Sequence, residues 1–572
     1  MDKKIPVKTL YMLSLISFGL IALGLGSTYA IFTASAEINN PISIVSNLAY
    51  NSDVIETADV IVPAGEIVST SLNISNTSSN LLNYITWYST SSSDIYAGVK
   101  ISSGSSNPTG TITSNAEPIQ VIVQLKNAST SSKLVTIGIS GSTDSVVKDS
   151  LMTEVPNREI YYLTDYVNNL YTNNSKSSVT NNNISYNYIN LYDTDTDDTT
   201  SGGLINDRLG SDSIDVNSGN IRYYGANPNN YVDIGDVYEE DMVLNNWEQL
   251  SAYGIPVTDS ASCHNYFDCE ASVEAGKYST IEECNIENNN LIANFGFSSI
   301  TEACAGVVTA GTPKSLYRII GLFKNIELED ESTEDLIKVV KKDTIGELVW
   351  DFSPENVNGG NGINEWSQAD LMKLLNPGYS ANQDLDPNGN TVLINNSLWW
   401  NRKAGICFIG PYSTAGRDFT GSGLSDNVKR KIETVNWNLG TGTSKYANQI
   451  YTEERGTNVY QDAQDGVIRT TKWQGKVAIE YVSDYLYATD FTKCRESSDM
   501  FGGYCSDNDW LYYFSKHFLN TISSVGIYQI RVDMVADTTA NTAGWVFPSF
   551  YLNANTALIS GDGTESNPYV IR

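Results

Sequence analysis

Apolar and polar positions alternate through residues 40–150 of the chain. One face of three such stretches is formed by Val68, Thr70, Leu72 and Ile74, by Ile119, Val121, Val123 and Leu125, and by Val135, Ile137 and Ile139. Alternation of this kind is typical of half-buried antiparallel strands. About seven short strands separated by turn clusters predict an immunoglobulin-like β-sandwich over residues 37–150. We expect this domain to be a spacer, the alternative being a binding module.

The pattern differs at the start of the chain. Residues 10–31 are uncharged and mostly apolar, and three lysines precede them within the first eight positions. This order predicts a signal peptide or a membrane anchor over residues 1–36. The tripeptide Ala34-Ser35-Ala36 favours cleavage, whereas a stretch of about 22 residues is also long enough to remain as a membrane span. Either reading places the rest of the chain outside the membrane, so we expect membrane contact only through this segment.

Polar residues dominate the segment 151–217, which we interpret as a linker with a short helix near residues 157–171. It contains alternating aspartates, and a second acidic run occurs later in the chain. The oxygen ligands that these runs offer to Ca²⁺ are Asp193, Asp195 and Asp197, and Asp384, Asp386 and Asn388. Neither run has the bidentate Glu that completes such a loop near position 12, and solvated acidic loops are the alternative. We expect no other cofactor.

Strands and short helices are mixed in residues 218–572, which also hold nine of the ten tryptophans. Apolar runs predict strands over 316–323 and 336–340. Helices are predicted over 367–375, capped by Ser367, and over 425–437. This part of the chain is therefore predicted to be α+β.

The charge balance excludes some partners. The chain has 66 acidic and 35 basic residues, and its formal net charge is −31. A nucleic-acid partner is not expected, because phosphate binding needs a basic surface. The only histidines are His264 and His517, so a site with three histidine ligands is excluded.

Seven cysteines are present, and four of them, Cys263, Cys269, Cys284 and Cys304, fall within residues 237–312. An even number in an exported segment predicts two local disulfides, with three pairings open. A four-cysteine zinc site is the alternative. A further disulfide is predicted between Cys494 and Cys505, which leaves Cys407 unpaired or paired across molecules.

A resemblance covers residues 218–572. It is carried by the motifs IRYYGANPNNYVDIGD, SLYRIIGLF, NEWSQADLMKLLNPGY, LWWNRKAG, TVNWNLG, YTEERGT, WQGKVAIEYVSDYLYAT, NDWLYY and PSFYLNANTALISGDGTESNPYVIR. These resemble exported Gram-positive surface proteins with a C-terminal domain of C-type-lectin-like fold, related to the fold of formylglycine-generating enzymes. In this chain the cysteine-containing insertion 237–312 interrupts the domain. The resemblance implies an extracellular ligand-binding or adhesion role.

We therefore expect a cell-surface or secreted protein that binds a glycan or protein ligand. The expected contact residues are aromatic side chains on loops: Trp399, Trp400, Tyr412, Tyr485 and Tyr487. A structural envelope or matrix protein without a discrete ligand is the first alternative. The second is an oxidase or a hydrolase on the same fold. For a hydrolase, Glu365 and Asp370 are the candidate carboxylate pair, although helix capping explains Asp370 more simply. We expect no enzymatic activity, because no complete catalytic constellation is visible.

Overall fold

The computed structural model describes a discontinuous part of the chain. The described residues are 42–46, 54–76, 79–143, 146, 151–191, 201–207, 219–234, 250, 255–257, 260–294, 298–304, 316–351, 362–379, 383–385, 391–393, 397–402, 404–405, 417–419, 423–460, 467–494, 505–512, 516–521, 526–530 and 535–572. The predicted leader, residues 1–36, lies outside them. Within the described residues, no helix is both long and apolar enough to cross a membrane.

The chain divides into two compact units. The first comprises Met1–Ser175, Asp335–Ile337 and Asn553–Arg572, and the second comprises Lys176–Glu334 and Lys338–Leu552. Residues 553–572 thus group with the first unit, whereas the sequence predicts a lectin-like domain that extends to residue 572.

The first unit is built mainly from two β-sheets. One sheet has the strand order Ile42–Ser46, Ile67–Asn76, Ile119–Asn127 and Ile95–Val99. The other has the order Val54–Val62, Lys133–Ser142, Leu82–Ser89 and Thr109–Ile112, with Thr153–Glu154 beside Leu82–Ser89. Apolar side chains of both sheets form one hydrophobic core, which is compatible with the predicted β-sandwich.

The burial along these strands follows the sequence pattern. Every second side chain of Ile67–Asn76 is buried, including Leu72 and Ile74. The apolar positions of the other two predicted stretches, such as Val121 and Ile137, are also buried, except that Ile119 is half-buried. The alternation therefore predicted both the strands and the face that each one buries.

The end of the chain completes the first unit. Strand Ala557–Ser560 pairs with Tyr161–Tyr162 and also with Tyr569–Ile571. Ala557 and Ile559 pack against Ile160 in a small cluster of buried residues. The other elements that the structure describes in this unit are the 3-10 turn Ile101–Ser103 and the helix Leu163–Thr172, which begins later than the predicted helix at 157–171. The last residues thus belong to the first unit because their apolar side chains are buried there.

The second unit has one large sheet and several smaller ones. Strands Tyr231–Asp233, Leu316–Glu327, Ile221–Asn227, Ser201–Asn206, Ile184–Asn190 and Ser177–Asn181 follow one another in the large sheet, and Ser549–Leu552 pairs with Val477–Ala478. Strand Thr333–Lys341 has residues in both units. A five-stranded sheet has the order Glu347–Val349, Ala543–Trp545, Lys516–Thr521, Gly526–Ile530 and Val535–Thr539. Three strand pairs are Gln383–Leu385 with Thr391–Leu393, Ala404–Gly405 with Arg417–Asp418, and Val435–Asn438 with Lys472–Gly475. The strands predicted over 316–323 and 336–340 are confirmed.

Most of the described helices of the second unit are short, and the longest of them is Ile281–Asn294. They are Ser260–Tyr266, Cys269–Glu274, Ile281–Asn294, Ile300–Ala303, Asp370–Leu375, Leu398–Asn401, Asp426–Lys429, Ala447–Glu454 and Val482–Ala488, with 3-10 turns at Trp366–Gln368 and Ser506–Asn508.

Both helices predicted from sequence in this unit need correction. The segment 367–375 is split between a 3-10 turn and an α-helix, and Ser367 does not cap the helix. The segment 425–437 forms only the helix Asp426–Lys429, which Ser425 caps, and its end belongs to a strand. Spacing of apolar residues alone did not show that the chain changes direction after residue 429.

Among the described residues three disulfides are formed, all in the second unit. Cys263 pairs with Cys304 and Cys269 with Cys284, so both predicted local disulfides are confirmed. The third, between Cys494 and Cys505, is also confirmed. Disulfides are typical of proteins that fold in an oxidising compartment. Cys407 lies outside the described residues.

Candidate functional site

Carboxyl groups and tryptophans lie close together where strand Glu347–Val349 ends. We call this group the acid–tryptophan cluster and define it by Trp350, Asp351, Glu365, Trp366, Asp370 and Trp473. The backbone holds its parts together, because the Leu371 amide donates to the Trp350 carbonyl at 3.0 Å. The cluster is therefore formed by segments that are far apart in the sequence.

Indole rings form one side of the cluster. The rings of Trp350 and Trp366 are in edge-to-face contact, with centroids 5.0 Å apart, and Trp473 lies edge-to-face on Trp366 at 6.0 Å. Such contacts contribute roughly 0.5–1.5 kcal/mol each beyond the burial of their area. The indole N–H groups of Trp350 and Trp366 are buried and have no hydrogen-bond partner within the described residues.

Asp351 is the most strongly perturbed carboxyl of the cluster. Its side chain accepts hydrogen bonds from the amides of Ile363, at 2.7 Å, and of Asp370, at 3.2 Å. Burial and, after it, the negative charge of Asp370 raise the pKa of Asp351 to about 7. Near neutral pH, the Asp351 carboxyl is therefore protonated in a fraction of the molecules.

The two carboxyls that the sequence analysis paired lie in the same cluster. Burial raises the pKa of Glu365, which accepts hydrogen bonds from the hydroxyls of Ser367, at 2.7 Å, and Thr470, at 3.3 Å. Asp370 forms an ion pair with Lys373 at 2.9 Å. The Glu365 and Asp370 carboxylates thus already have hydrogen-bond or ion-pair partners within the protein.

The surface beside the cluster carries an exposed aliphatic side chain. Ile468 is 80% exposed, and its carbonyl accepts a hydrogen bond from the Gln368 side chain at 2.7 Å. Thr470 is also exposed and links this segment to Glu365. We call Gln368, Ile468 and Thr470 the rim of the acid–tryptophan cluster. An apolar group beside amide and hydroxyl groups can contact a ligand with both apolar and polar parts.

The aromatic residues expected to contact a ligand are not on open loops. Trp399 and Trp400 belong to the helix Leu398–Asn401, and Tyr485 and Tyr487 belong to the helix Val482–Ala488. All four side chains are buried. Rings at these positions pack inside the unit, which corrects the expectation that they form a recognition surface. Tyr412 lies outside the described residues.

The surroundings of Tyr487 explain its burial. Its ring lies 4.7 Å from the Arg222 guanidinium, and its hydroxyl donates to the Asp207 carbonyl at 3.1 Å. Arg222 is itself buried and forms ion pairs with Asp207 at 2.8 Å and with Asp484 at 2.7 Å. The tyrosine therefore belongs to an internal charge network.

Lys338 completes this network. Its ammonium group lies 2.5 Å from Asp484 and 4.3 Å from the ring centre of Tyr481. Burial lowers the pKa of Lys338 to about 8, although the charge of Asp484 opposes this effect. Burial alone would raise the pKa of Asp484, but Lys338 and Arg222 lower it below its ordinary value. The two buried cations and the two carboxylates of the network thus compensate each other, and the sequence pattern did not predict their contact.

The candidate calcium ligands are mostly outside the described residues. Asp193, Asp195, Asp197, Asp386 and Asn388 fall in this category, and of Asp384 only the backbone strand is described. Where the structure is described, no three His, Cys, Asp or Glu side chains are grouped so that they could hold a metal ion.

The two histidines lie on different elements. His264 is exposed on the helix Ser260–Tyr266, and His517 belongs to the strand Lys516–Thr521.

The chain matches no family model, and comparisons with curated proteins and with solved structures found nothing similar to it.

Proposed function

We propose that this chain is an exported bacterial protein that binds a glycan or protein ligand at the cell surface. In this proposal the first unit is the spacer, and the second has a C-type-lectin-like fold with a disulfide-bonded insertion. The observation that carries the proposal is the set of three disulfides, because such bonds persist outside the reducing cytosol. The basic and apolar leader sequence supports the same location.

The rim of the acid–tryptophan cluster is the proposed contact surface. Ile468 offers an apolar contact, and Gln368 and Thr470 offer hydrogen-bonding groups beside it. The packed indoles of Trp366 and Trp473 belong to the same chain segments as the rim and give these segments a rigid support, which lowers the entropic cost of binding. The apolar face of a sugar ring, or an aliphatic side chain with polar neighbours, has matching chemistry.

A binding screen tests this function. The purified chain is applied to a glycan array. The variant Ile468→Asp is then compared with the wild-type chain on every glycan that the wild-type chain binds. We expect the variant to lose about tenfold or more in affinity, because it places a charge in the apolar contact. Ile286→Asp is the matched control, since Ile286 is also exposed, at 57%, but lies in the disulfide-bonded insertion. Equal binding by both variants and wild type would contradict the proposed surface.

A structural envelope protein is the second candidate, and one observation in the first unit favours it. Ile61 and Leu134 are cross-strand neighbours, 64% and 60% exposed. Ile61 lies on Val54–Val62, an edge strand of its sheet among the described strands. Exposed aliphatic groups on an edge strand favour pairing with a second copy.

Sedimentation velocity separates the two functions. Concentration-dependent association that Ile61→Lys abolishes, together with no ligand in the screen, would favour the structural protein. A monomer at every concentration would rule this candidate out.

A further inference from the structure

A lysine and a glutamate are in contact in the interior of the second unit. Lys516 begins the strand Lys516–Thr521, and Glu480 lies just before the helix Val482–Ala488. Both side chains are fully buried, and Lys516 Nζ contacts Glu480 Oε1. The backbone fixes the two segments beside each other, because the Leu519 amide donates to the Glu480 carbonyl at 3.2 Å. The two groups are therefore held together independently of their charges.

The Glu480 carboxylate has little support as an ion. Apart from the Lys516 contact, neither of its oxygens has a hydrogen-bond partner among the described residues. The Asp484 carboxylate, equally buried, receives hydrogen bonds from Arg222, Lys338 and the Tyr481 amide. A buried carboxylate without such donors is unfavourable by several kcal/mol. The Lys516–Glu480 contact therefore favours uncharged groups, whereas Asp484 is stable as an ion.

The amine of this pair is also suited to react. Burial, together with the nearby charge of Lys338, lowers the pKa of Lys516 well below its ordinary value. The Phe547 ring centre lies 4.7 Å from Lys516 Nζ. An apolar surrounding favours the neutral amine, whose lone pair makes it a nucleophile.

We propose that Lys516 and Glu480 become joined by an intramolecular amide bond after the chain has folded. The neutral Nζ attacks Cδ of the protonated Glu480 carboxyl, so a C–N bond forms and a C–O bond breaks. The hydroxyl group leaves with an amine proton as one water molecule. The reaction consumes no oxidant or reductant, and the fixed contact between the two groups supplies the effective concentration that drives it.

The product suits the site better than the reactants do. One neutral amide replaces two ionisable groups that the fold has buried, so the cost of keeping charge in the interior disappears. The bond also closes residues 480–516 into a loop that contains the Cys494–Cys505 disulfide. Reduction opens a disulfide but leaves an amide intact, so this link would persist where the disulfide is lost.

Peptide mapping of the reduced, alkylated and denatured chain tests the proposal. Trypsin does not cut after an acylated lysine, so residues 496–531 should appear as one peptide linked to residues 477–493. The mass of the pair should be one water below the sum of the two peptides, and fragmentation should place the link at Lys516 and Glu480. Cleavage after Lys516 with two separate peptides would overturn the proposal.

Two other ion pairs act as controls within the same digest. Lys338–Asp484 is equally buried but supported by hydrogen bonds, and Lys472–Glu327 is partly exposed. We expect trypsin to cut after both lysines, and a link at either one instead of Lys516 would contradict the argument. In the variant Glu480→Ala cleavage after Lys516 should be restored. If this variant does not fold, the map of the wild-type chain still decides the question.

Discussion

Asp484 balances two cations in the interior of the second unit. Arg222 and Lys338 both reach its carboxylate, and all three side chains are fully buried. Removing one member of a buried charge network leaves the others without compensation. The stability of the unit should therefore depend on this single carboxylate far more than on any exposed ion pair.

The variant Asp484→Asn tests this dependence. We expect the free energy of unfolding to fall by about 3–5 kcal/mol, because the buried Lys338 loses its ion pair, whereas Arg222 keeps the one with Asp207. Glu327→Gln is the control, since it removes the partly exposed pair with Lys472 and should change the stability by about 0–1 kcal/mol. Chemical denaturation of both variants measures the difference. If the free energy of unfolding fell only slightly and equally in both variants, the charge network would not be a source of stability.

Buried carboxyls should also make the second unit less stable at alkaline pH. Burial is the main cause that raises the pKa values of Asp351, Glu454 and Asp509, each to about 7. A carboxyl with a raised pKa binds its proton more tightly in the folded than in the unfolded chain. Its contribution to the free energy of unfolding is therefore present at low pH and lost as the pH rises through about 7. We expect the Tm of the chain to be higher at about pH 5.5 than at about pH 8, by on the order of 5 °C.

Glu454→Gln is the control for this pH dependence. The amide cannot titrate, so the difference in Tm between the two pH values should shrink. A Tm that rises toward pH 8 in the wild-type chain would contradict the assignment of these pKa shifts.

The strands of the first unit show which features of the fold the pattern of apolar residues can predict. Each strand has one face in a shared core, so burial imposes a period of two that the sequence carries directly. Val68, Val123 and Ile137 could be assigned to the core for this reason. That the four cysteines of the insertion form two local disulfides could also be predicted, because they lie close together in the chain, but their pairing could not, because three pairings fit the sequence equally well.

The candidate site could not be predicted in the same way. Lys338 lies in an otherwise apolar run and pairs with Asp484, which is 146 positions away. A single sequence does not show such a pairing, although a charge within an apolar strand signals that a partner exists. The aromatic residues were misplaced for a related reason: Trp399 and Tyr487 suit a core as well as a binding loop. Only the packing distinguishes the two roles.

The insertion behaves as an element with its own core. Leu250, Phe267 and Ile292 pack together with the half-cystines Cys263 and Cys304. This core is small and provides little hydrophobic stabilisation. The disulfide between Cys263 and Cys304 spans 41 positions and restricts the unfolded chain strongly. The insertion should therefore depend on its disulfides more than the sheets around it do.

Replacing Cys263 and Cys304 by Ser tests this dependence. We expect the amide hydrogens of the helix Ile281–Asn294 to exchange much faster with solvent. The reason is that the loop entropy of the Cys263–Cys304 disulfide stabilises the fold by about 4 kcal/mol, which the variant loses. The pair Cys494 and Cys505, 11 positions apart, is the matched control and should leave this helix protected when replaced by Ser. Hydrogen exchange followed by mass spectrometry provides the readout. Unchanged protection of Ile281–Asn294 in the first variant would show that its core suffices alone.

The molecule as a whole combines features that suit an extracellular environment. The net charge of −31 keeps a folded chain soluble and discourages contact with anionic polymers. Disulfides stabilise the second unit, whereas a β-rich core without disulfides stabilises the first. These properties are consistent with one location and do not depend on the identity of the ligand.

Mapping the disulfides of the chain produced in a Gram-positive host tests the central claim most directly. Cells and medium are separated, free thiols are alkylated at once, and peptides are analysed without reduction. We expect the chain at the cell surface or in the medium, with the pairs Cys263–Cys304, Cys269–Cys284 and Cys494–Cys505. A chain retained in the cytoplasm with these six cysteines alkylated as free thiols would contradict the account.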